Sequence, residues 1–500
     1  MPSCRAPLAV PMLAVLAMML GGILNPAWGH ANDGARLAIV QLSPESQRAG
    51  VAAAQALGLN VLDTLRVVPA ALVAGSPDAL AALAGAPGVL RVETLSPVTY
   101  DLASATLASR AKAVWDDAAA ASLGLAPLRD DAGNVIDGNG ITVAVVDVGL
   151  NAHHPDLPYR TKVVRNLYPL SLAPNSYPSA DPFAGRVDAW IDAPATGLFT
   201  THGNHVAGIV AGTGAASLGK HRGAAPGASL VGFGDHGRPS ASLGFPFGAG
   251  SWYYAKAWEW VYEHGHAVTP PIRVVTNSWG YAHGPCDPTI TLSRLQQKLV
   301  LERGIVMVFS AGNLGGDGTA NNVRTQPQCG PEGVLGVADY DDLDSGTRSG
   351  RLSASSSRGN ASDNRTWPDL SAPGTAIVSA GGMGQARAGQ LYFEASGTSM
   401  AAPHVAGAVA LVLQAHPALG PAEVECLLEQ TAHKFDAAGS GGPYATGHND
   451  SRFDGSHHAR GHGLLDAHAA VVAALDLSRG HLVGAAWRCA GAHPWTGAIR

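Results

Sequence analysis

Four short segments of this 500-residue chain carry the side chains that acyl transfer needs. In Ile141-Thr-Val-Ala-Val-Val-Asp147-Val-Gly149 an apolar run ends in a carboxylate. A buried carboxylate is costly unless it is paired, and an imidazole is the natural partner for Asp147. In Thr201-His202-Gly-Asn-His205-Val-Ala-Gly208 an imidazole opens a run of small residues with helical character. Histidine takes and returns a proton near neutral pH, as a general base must. His205, one turn further on, reads as structural. In Phe309-Ser-Ala-Gly-Asn313 an apolar strand opens into a small-residue loop ending in an amide, which can donate to a developing oxyanion. In Ser396-Gly-Thr398-Ser399-Met-Ala-Ala-Pro403-His-Val-Ala-Gly407 a hydroxyl stands at the start of an apolar helix. Free N–H groups and the positive dipole end favour negative charge there, and Pro403 suits a first helical turn. Taken singly, Asp147 could cap a turn and Asn313 could be a turn residue. Together the segments supply an acid, a base, a nucleophile and an oxyanion donor.

The elements that must position them alternate. Continuous β-branched runs, the mark of strands buried on both faces, lie at Ile141–Val146, Leu230–Phe233, Ile272–Val275, Ile305–Phe309 and Val334–Ala338. Helical patterns separate them at His205–Ala211, Ser251–Glu263, Ile290–Glu302 and Pro403–Gln414. Strands alternating with helices predict an α/β fold with a mainly parallel central sheet, and functional groups gather at the carboxyl ends of such strands. Residues 34–95 read differently. Arg36–Leu42, Ser46–Leu57, two strands around Pro69 within Val61–Val73, Pro77–Leu83 and Val89–Val92 give a β-α-β-β-α-β order, a ferredoxin-like α+β pattern. Residues 96–120 have no strong strand signal and read as a linker or arm. Residues 340–366 and 437–462 read as loop. His433, His448, His457, His458 and His462 cluster in or beside the latter, but none has the helical spacing of a metal-binding face, so a solvated loop is expected.

Composition narrows the class. Charged residues are 14% of the chain, hydrophobic residues 46%, and the formal net charge is −6. These values exclude a disordered or coiled-coil chain and give no electrostatic case for nucleic acid. Arg5, the apolar stretch Leu8–Leu24 and a small-x-small site at Ala27-Trp28-Gly29 have the anatomy of a secretory signal peptide. Cleavage near Gly29 is expected, which leaves Cys286, Cys329, Cys426 and Cys489. Pairing neighbours in sequence favours Cys286–Cys329 and Cys426–Cys489, with free buried thiols the alternative.

At Asp147, His202 and Ser399 the chain resembles the subtilisin-like serine proteases, or subtilases. Asp-x-Gly, His-Gly-x-His-Val-Ala-Gly and Gly-Thr-Ser-Met-Ala-Ala-Pro-His-Val-Ala-Gly all stand in the sequence, in the order Asp, His, Ser that distinguishes this family from chymotrypsin and the α/β-hydrolases. The resemblance covers about 138–475 and implies a subtilisin-like three-layer fold. It makes Ser399 the nucleophile, His202 the base and Asp147 its anchor, with Asn313 and the Ser399 N–H as the oxyanion hole. Ser278, Trp279 and Gly280 match the strand that pairs with substrate, and Ser310, Ala311 and Gly312 one wall of the pocket for the residue before the cut. Phe247–Gly250 resembles the opposite edge, and Gly461–Ala467 the closing segment of the catalytic domain. The implied organisation is a signal peptide (1–29), an inhibitor-I9-like propeptide (30–100), a catalytic domain (101–475) and a C-terminal tail (476–500), with maturation at Tyr100–Asp101. The partners are protein or peptide substrates and the chain's own propeptide, acting as chaperone and inhibitor. No nucleic acid is implied, nor any membrane after signal cleavage, and the location is secreted or periplasmic. No cofactor is required for the chemistry and no metal sits among the site residues. Asp156 matches a calcium ligand of some members. The loop 212–219 lacks the Asn or Asp that would complete about six to eight oxygens, so a turn-capping Asp156 is the plainer reading. Val148 stands where Thr or Ser is usual, Asn204 for Thr, and Trp279 for a common Leu, which is expected to reshape an upstream subsite.

Overall fold

The computed structural model describes residues 36–94, 98–100, 108–169, 190–196, 200–234, 250–281, 286–343, 345–346, 348–387, 389–435 and 457–481. The signal stretch 1–29, residues 247–249, His448, Cys489 and residues 482–500 of the tail lie outside them.

In the N-terminal unit, β1 (Arg36–Leu42), α1 (Gln47–Ala56), β2 (Asn60–Leu65), β3 (Ala70–Gly75), α2 (Pro77–Leu83) and β4 (Val89–Thr94) follow the expected order. The strands pair antiparallel as β2-β3-β1-β4. Helix α2 starts where the residues say it must: Pro77 holds the first position, and the Ser76 hydroxyl accepts the Ala79 N–H at 3.2 Å.

The stretch expected to be a strandless arm contains β5 (Val98–Tyr100), then α3 (Lys112–Trp115) and α4 (Asp117–Ser122). The larger unit follows with β6 (Thr142–Val146), β7 (Val163–Pro169), β8 (Trp190–Asp192), α5 (Thr201–Ala211), β9 (Ser229–Phe233), α6 (Gly250–His264), β10 (Ile272–Asn277), β11 (Trp279–Tyr281), α7 (Thr291–Arg303) and β12 (Val306–Ser310). It continues with α8 (Thr325–Gln328), β13 (Val334–Asp341), β14 (Arg351–Leu352), β15 (Leu370–Pro373), β16 (Ile377–Ala380), α9 (Met383–Arg387), β17 (Tyr392–Ala395), α10 (Thr398–Ala415), α11 (Pro421–Thr431) and α12 (Ala467–Ser478).

The central sheet runs β14-β13-β12-β10-β6-β9-β7-β8, with β15 also beside β13. Its interior pairs are parallel, and only β8 and β14 join antiparallel. Alternation along β6 explains the three layers. Val143 and Val145 pack in the core shared with α5, α10 and α12, whereas Ala144 and Val146 pack with Trp252, Tyr254 and Trp258 of α6 and Leu295 and Leu299 of α7. Burial of each such Val or Leu stabilises by about 1.5–3 kcal/mol. The second core continues into the N-terminal unit through Ile39, Leu62, Leu65 and Leu72, so that unit's sheet docks on α6 and α7.

Cys286 and Cys329 form a disulfide with a Cα–Cα distance of 5.2 Å, tying the segment after β11 to the end of α8. Cys426 is also disulfide-bonded. The histidines expected in a solvated loop are instead half-buried where they are described. His433 bridges backbone with Leu464, and the His457 and His458 rings lie 4.1 Å apart.

Candidate active site

The carboxyl ends of β6, β10 and β12 and the first turns of α5 and α10 bring the sequence-predicted groups to one edge of the sheet. Asp147 follows β6 and is fully buried. Its Oδ1 and Oδ2 lie 2.8 and 2.9 Å from His202 Nδ1, and Oδ1 also accepts the Val148 N–H at 2.8 Å. The backbone thus supplies a donor where Val148 brings no hydroxyl. A buried acid held this way fixes the imidazole with Nδ1–H toward it, the tautomer whose Nε2 carries the lone pair a base uses.

Residue 203 must be glycine for this approach, because a Cβ there would lie 2.2 Å from Gly149 O. Asn204 completes the fit. Its Oδ1 accepts the Asn151 N–H at 2.6 Å and its Nδ2 donates to Gly381 O at 2.7 Å, binding α5 to the loop after β6. His205 donates from Nε2 to Ile377 O at 3.0 Å and also reaches Phe393 O at 3.2 Å. Burial, reinforced by His202, pushes its pKa down to about 3, so it is a neutral structural group.

Ser399 is the second residue of α10, where its N–H has no residue four places back inside the helix to bond. Pro403 lies inside that helix rather than in its first turn, which corrects the expectation from sequence. The physical reason is local. Lacking an N–H, Pro403 leaves the Ser399 carbonyl free, and the Ser278 hydroxyl donates to it at 2.6 Å. In return the Ser399 hydroxyl donates to Ser278 O at 3.0 Å. The structure therefore joins His202 to Asp147 and Ser399 to Ser278, and it does not close a hydrogen bond from Ser399 to His202.

Thr398 is a positioning group that sequence reasoning missed. Its N–H and Oγ1 both donate to Asn313 Oδ1, at 3.0 and 2.9 Å, and Oγ1 accepts the Gly312 N–H at 3.0 Å. With Oδ1 committed, the Asn313 Nδ2 donors are the end left for a ligand. Gly397 keeps them clear, since a Cβ there would sit 2.7 Å from Nδ2. The Thr directly before the serine was the available signal.

Comparison with known proteins fits this geometry. Residues 138–463 match the profile of the subtilase family. The serine protease AprX of Bacillus subtilis is 31% identical over 339 residues, 65% of this chain and 68% of its own length. The chain belongs to the subtilase family of serine endopeptidases. Fervidolysin of Fervidobacterium pennivorans is 32% identical over 63% of this chain, although the match spans only 40% of that protein. An extracellular protease of Xanthomonas campestris pv. campestris is 30% identical over 71% of this chain and 54% of its own length. The crystal structure of fervidolysin shares the fold, with a TM-score of 0.59 and 24% identity over 89% of this chain and 62% of that one.

In this subtilase, Ser278, Trp279 and Gly280 lead from β10 through β11, and Ser310, Ala311 and Gly312 from β12 to Asn313. The side chain of Trp279 is fully buried, stacked 3.8 Å from Tyr254, with Nε1 donating to Val146 O at 2.8 Å. The ring packs into the core on the α6 side of β11 while β5 pairs with that strand's backbone. An indole offers both a large apolar face and a donor, and both are used beneath the sheet edge. Subtilase catalysis requires no cofactor. At Asp156, Oδ1 accepts the Ala216 N–H at 2.9 Å and Oδ2 the Tyr392 hydroxyl at 2.6 Å. Both oxygens serve protein donors, so the residues present do not fit calcium, and Asp156 instead clamps the 213–219 loop to β17.

Proposed function

We propose that the chain is exported and made as a zymogen, and that the mature enzyme hydrolyses peptide bonds through Asp147, His202 and Ser399. Ser399 Oγ turns from Ser278 O toward His202 and attacks the scissile carbonyl. His202 Nε2 takes the proton and returns it to the leaving amine, while Asp147 stabilises the imidazolium. The oxyanion of the tetrahedral intermediate accepts from Asn313 Nδ2 and the Ser399 N–H, and water then hydrolyses the acyl-enzyme.

The antiparallel pairing of β5 with β11 carries this reading: Val98 faces Tyr281, Thr99 faces Gly280 and Tyr100 faces Trp279. An extended segment of the chain itself takes the place that a substrate peptide would take, through main-chain hydrogen bonds that any sequence can make. Residues 30–100 are then the propeptide. Its docking supports an inhibitory and chaperoning role. Glu93 accepts the N–H and hydroxyl of Thr291 at 3.0 Å each, capping α7, and Arg91 pairs with Asp287 at 2.6 Å. Glu259 accepts from the N–H groups of Arg66 and Val67, and Trp252 Nε1 donates to Asp63 at 3.0 Å. Residues 1–29 act as the export signal, and the compartment is extracellular or periplasmic.

The test is Ser399→Ala. Turnover is expected to fall by roughly 10⁶, the loss known for the same change in subtilisin. The variant accumulates with the propeptide still covalently attached and is not labelled by a fluorophosphonate probe. Retained peptidase activity in the purified variant would refute the assignment.

A further inference from the structure

Away from the catalytic groups, three parts of the chain enclose a cleft of about 410 Å³ that opens to solvent. Ser109, Lys112 and Trp115 come from the arm that follows the propeptide, Lys220 and Arg222 from the loop after α5, and His404 from α10. Ser109 is 3% exposed and His404 2%, so a hydroxyl and an imidazole lie at the recessed end, while the three cations are exposed at the mouth. None of the lining residues is acidic. Asp116 stands 3.8 Å from Lys112, a pairing too exposed to cancel that charge. Among the described residues Lys220 makes no ion pair. The Arg222 guanidinium lies 5.6 Å over the Trp115 ring and donates from Nε to Thr213 O at 3.3 Å, an arrangement that leaves both Nη groups as donors. Trp115 is itself fixed, since its Nε1 donates to Ala224 O at 3.1 Å.

We propose that this cleft binds a small tetrahedral oxyanion of the phosphate or sulfate class. Three like charges gathered round one recess repel one another, and an anion among them turns that repulsion into attraction. Arg222 offers paired planar donors and the two lysines offer compact charges, the mixture that recognises phosphate. Lys112 approaches from the arm and Lys220 and Arg222 from the loop, so the ligand must present oxygens in diverging directions. A tetrahedral ion does so, whereas a carboxylate has two oxygens in one plane. The Ser109 hydroxyl adds a neutral donor, because its oxygen accepts the Ala111 N–H at 3.5 Å and its own O–H is left to donate.

The place of the cleft in the fold gives the consequence. A bound ion joins the arm to the loop that follows the His202 helix, against the helix that carries Ser399. It therefore stabilises the folded chain and takes no part in the acyl chemistry.

The experiment uses the full-length Ser399→Ala chain, in which the propeptide stays attached. Inorganic phosphate, titrated at constant ionic strength, is expected to show broadening of its phosphorus NMR resonance with half-saturation at about 1 mM, the affinity range of a few charge-assisted contacts at an open cleft. At fifty times that concentration Tm is expected to stand about 2 °C above a chloride control. Sulfate competes with phosphate, and acetate does not. Lys220→Gln weakens phosphate binding about tenfold. By removing one like charge it leaves Tm in chloride unchanged or slightly raised. Arg222→Gln weakens binding to a similar degree, and Lys220→Glu abolishes it. A phosphate effect equalled by chloride overturns the proposal, as does binding that Lys220→Gln leaves unchanged, or acetate that competes as well as sulfate. If Arg222→Gln fails to fold through loss of the Trp115 contact, Lys220→Gln still decides it, because that side chain is exposed at the mouth.

Discussion

Asp147 follows β6 and Asp369 precedes β15, and the carboxyl of each is shielded from water. The oxygens of Asp147 meet an imidazole nitrogen at 2.8 and 2.9 Å and the Val148 N–H at 2.8 Å. Asp369 meets the Gly336 N–H at 2.6 Å, and then other acids: Glu425 and Glu429 bring carboxylate oxygens within 4.8 Å. Burial pushes the Asp369 pKa up to about 7. Burial, with the charges of Glu429 and Asp369 behind it, lifts Glu425 well above its usual range. The contrast shows what burial does by itself. The outer acid, Glu429, meets His462 Nε2 at 3.5 Å, but Asp369 and Glu425 are shielded beside like charges, which favours their protonated forms, whereas Asp147 faces an imidazole able to take positive charge. Only the second arrangement can stabilise a cation formed during a reaction.

The same neutral replacement at both places tests the contrast. Asp147→Asn preserves shape but removes the charge and the tautomer control, so kcat for a peptide substrate is expected to fall by about 10⁴. A loss below tenfold would mean that the His202–Asp147 pair does not govern turnover. The oxyanion side should respond less. Asn313→Ala is expected to lower kcat by about 10²–10³ with KM nearly unchanged. Thr398→Val keeps the N–H bond to Asn313 but removes the hydroxyl bond. It is therefore expected to lower kcat by about tenfold, again without a KM change, as for loss of one hydrogen bond to a positioned amide. A KM effect in either variant would shift the role from the transition state to ground-state binding.

The Asp147–His202 pair was legible in sequence because each residue sits in a local motif whose glycines have local reasons, as at Gly203 against Gly149 O. The parallel sheet was legible because strands buried on both faces read as unbroken apolar runs. What escaped depends on distant pieces of chain. Strand β5 is three residues long and is a strand only because β11 lies beside it. The basic cleft gave no motif, since Lys112 and Lys220 meet there from the arm and from the loop after α5. The Asp369–Glu425–Glu429 group joins the residue before β15 to two residues of α11, far apart in the chain.

That acidic group gives the smallest effect and the one most sensitive to pH. Asp369 has a folded pKa near 7 against about 3.9 unfolded, so between those values the folded form holds a proton that the unfolded chain releases. Its contribution to stability is therefore present below pH ~4 and is lost as pH rises through ~7. Because Asp369 and Glu425 sit side by side, the loss belongs to the pair. Asn at 369 cannot ionise, can still accept the Gly336 N–H, and can donate to Glu425. Asp369→Asn should thus leave Tm unchanged at pH 4 and raise it at pH 8, by about 1 °C for each kcal/mol recovered in a chain of this size. Calorimetry on the Ser399→Ala background, where self-digestion is absent, measures both points. A variant less stable than its parent at pH 8 would show that the Asp369 anion is stabilised after all. The contrast with Asp147 would then be one of geometry rather than of charge.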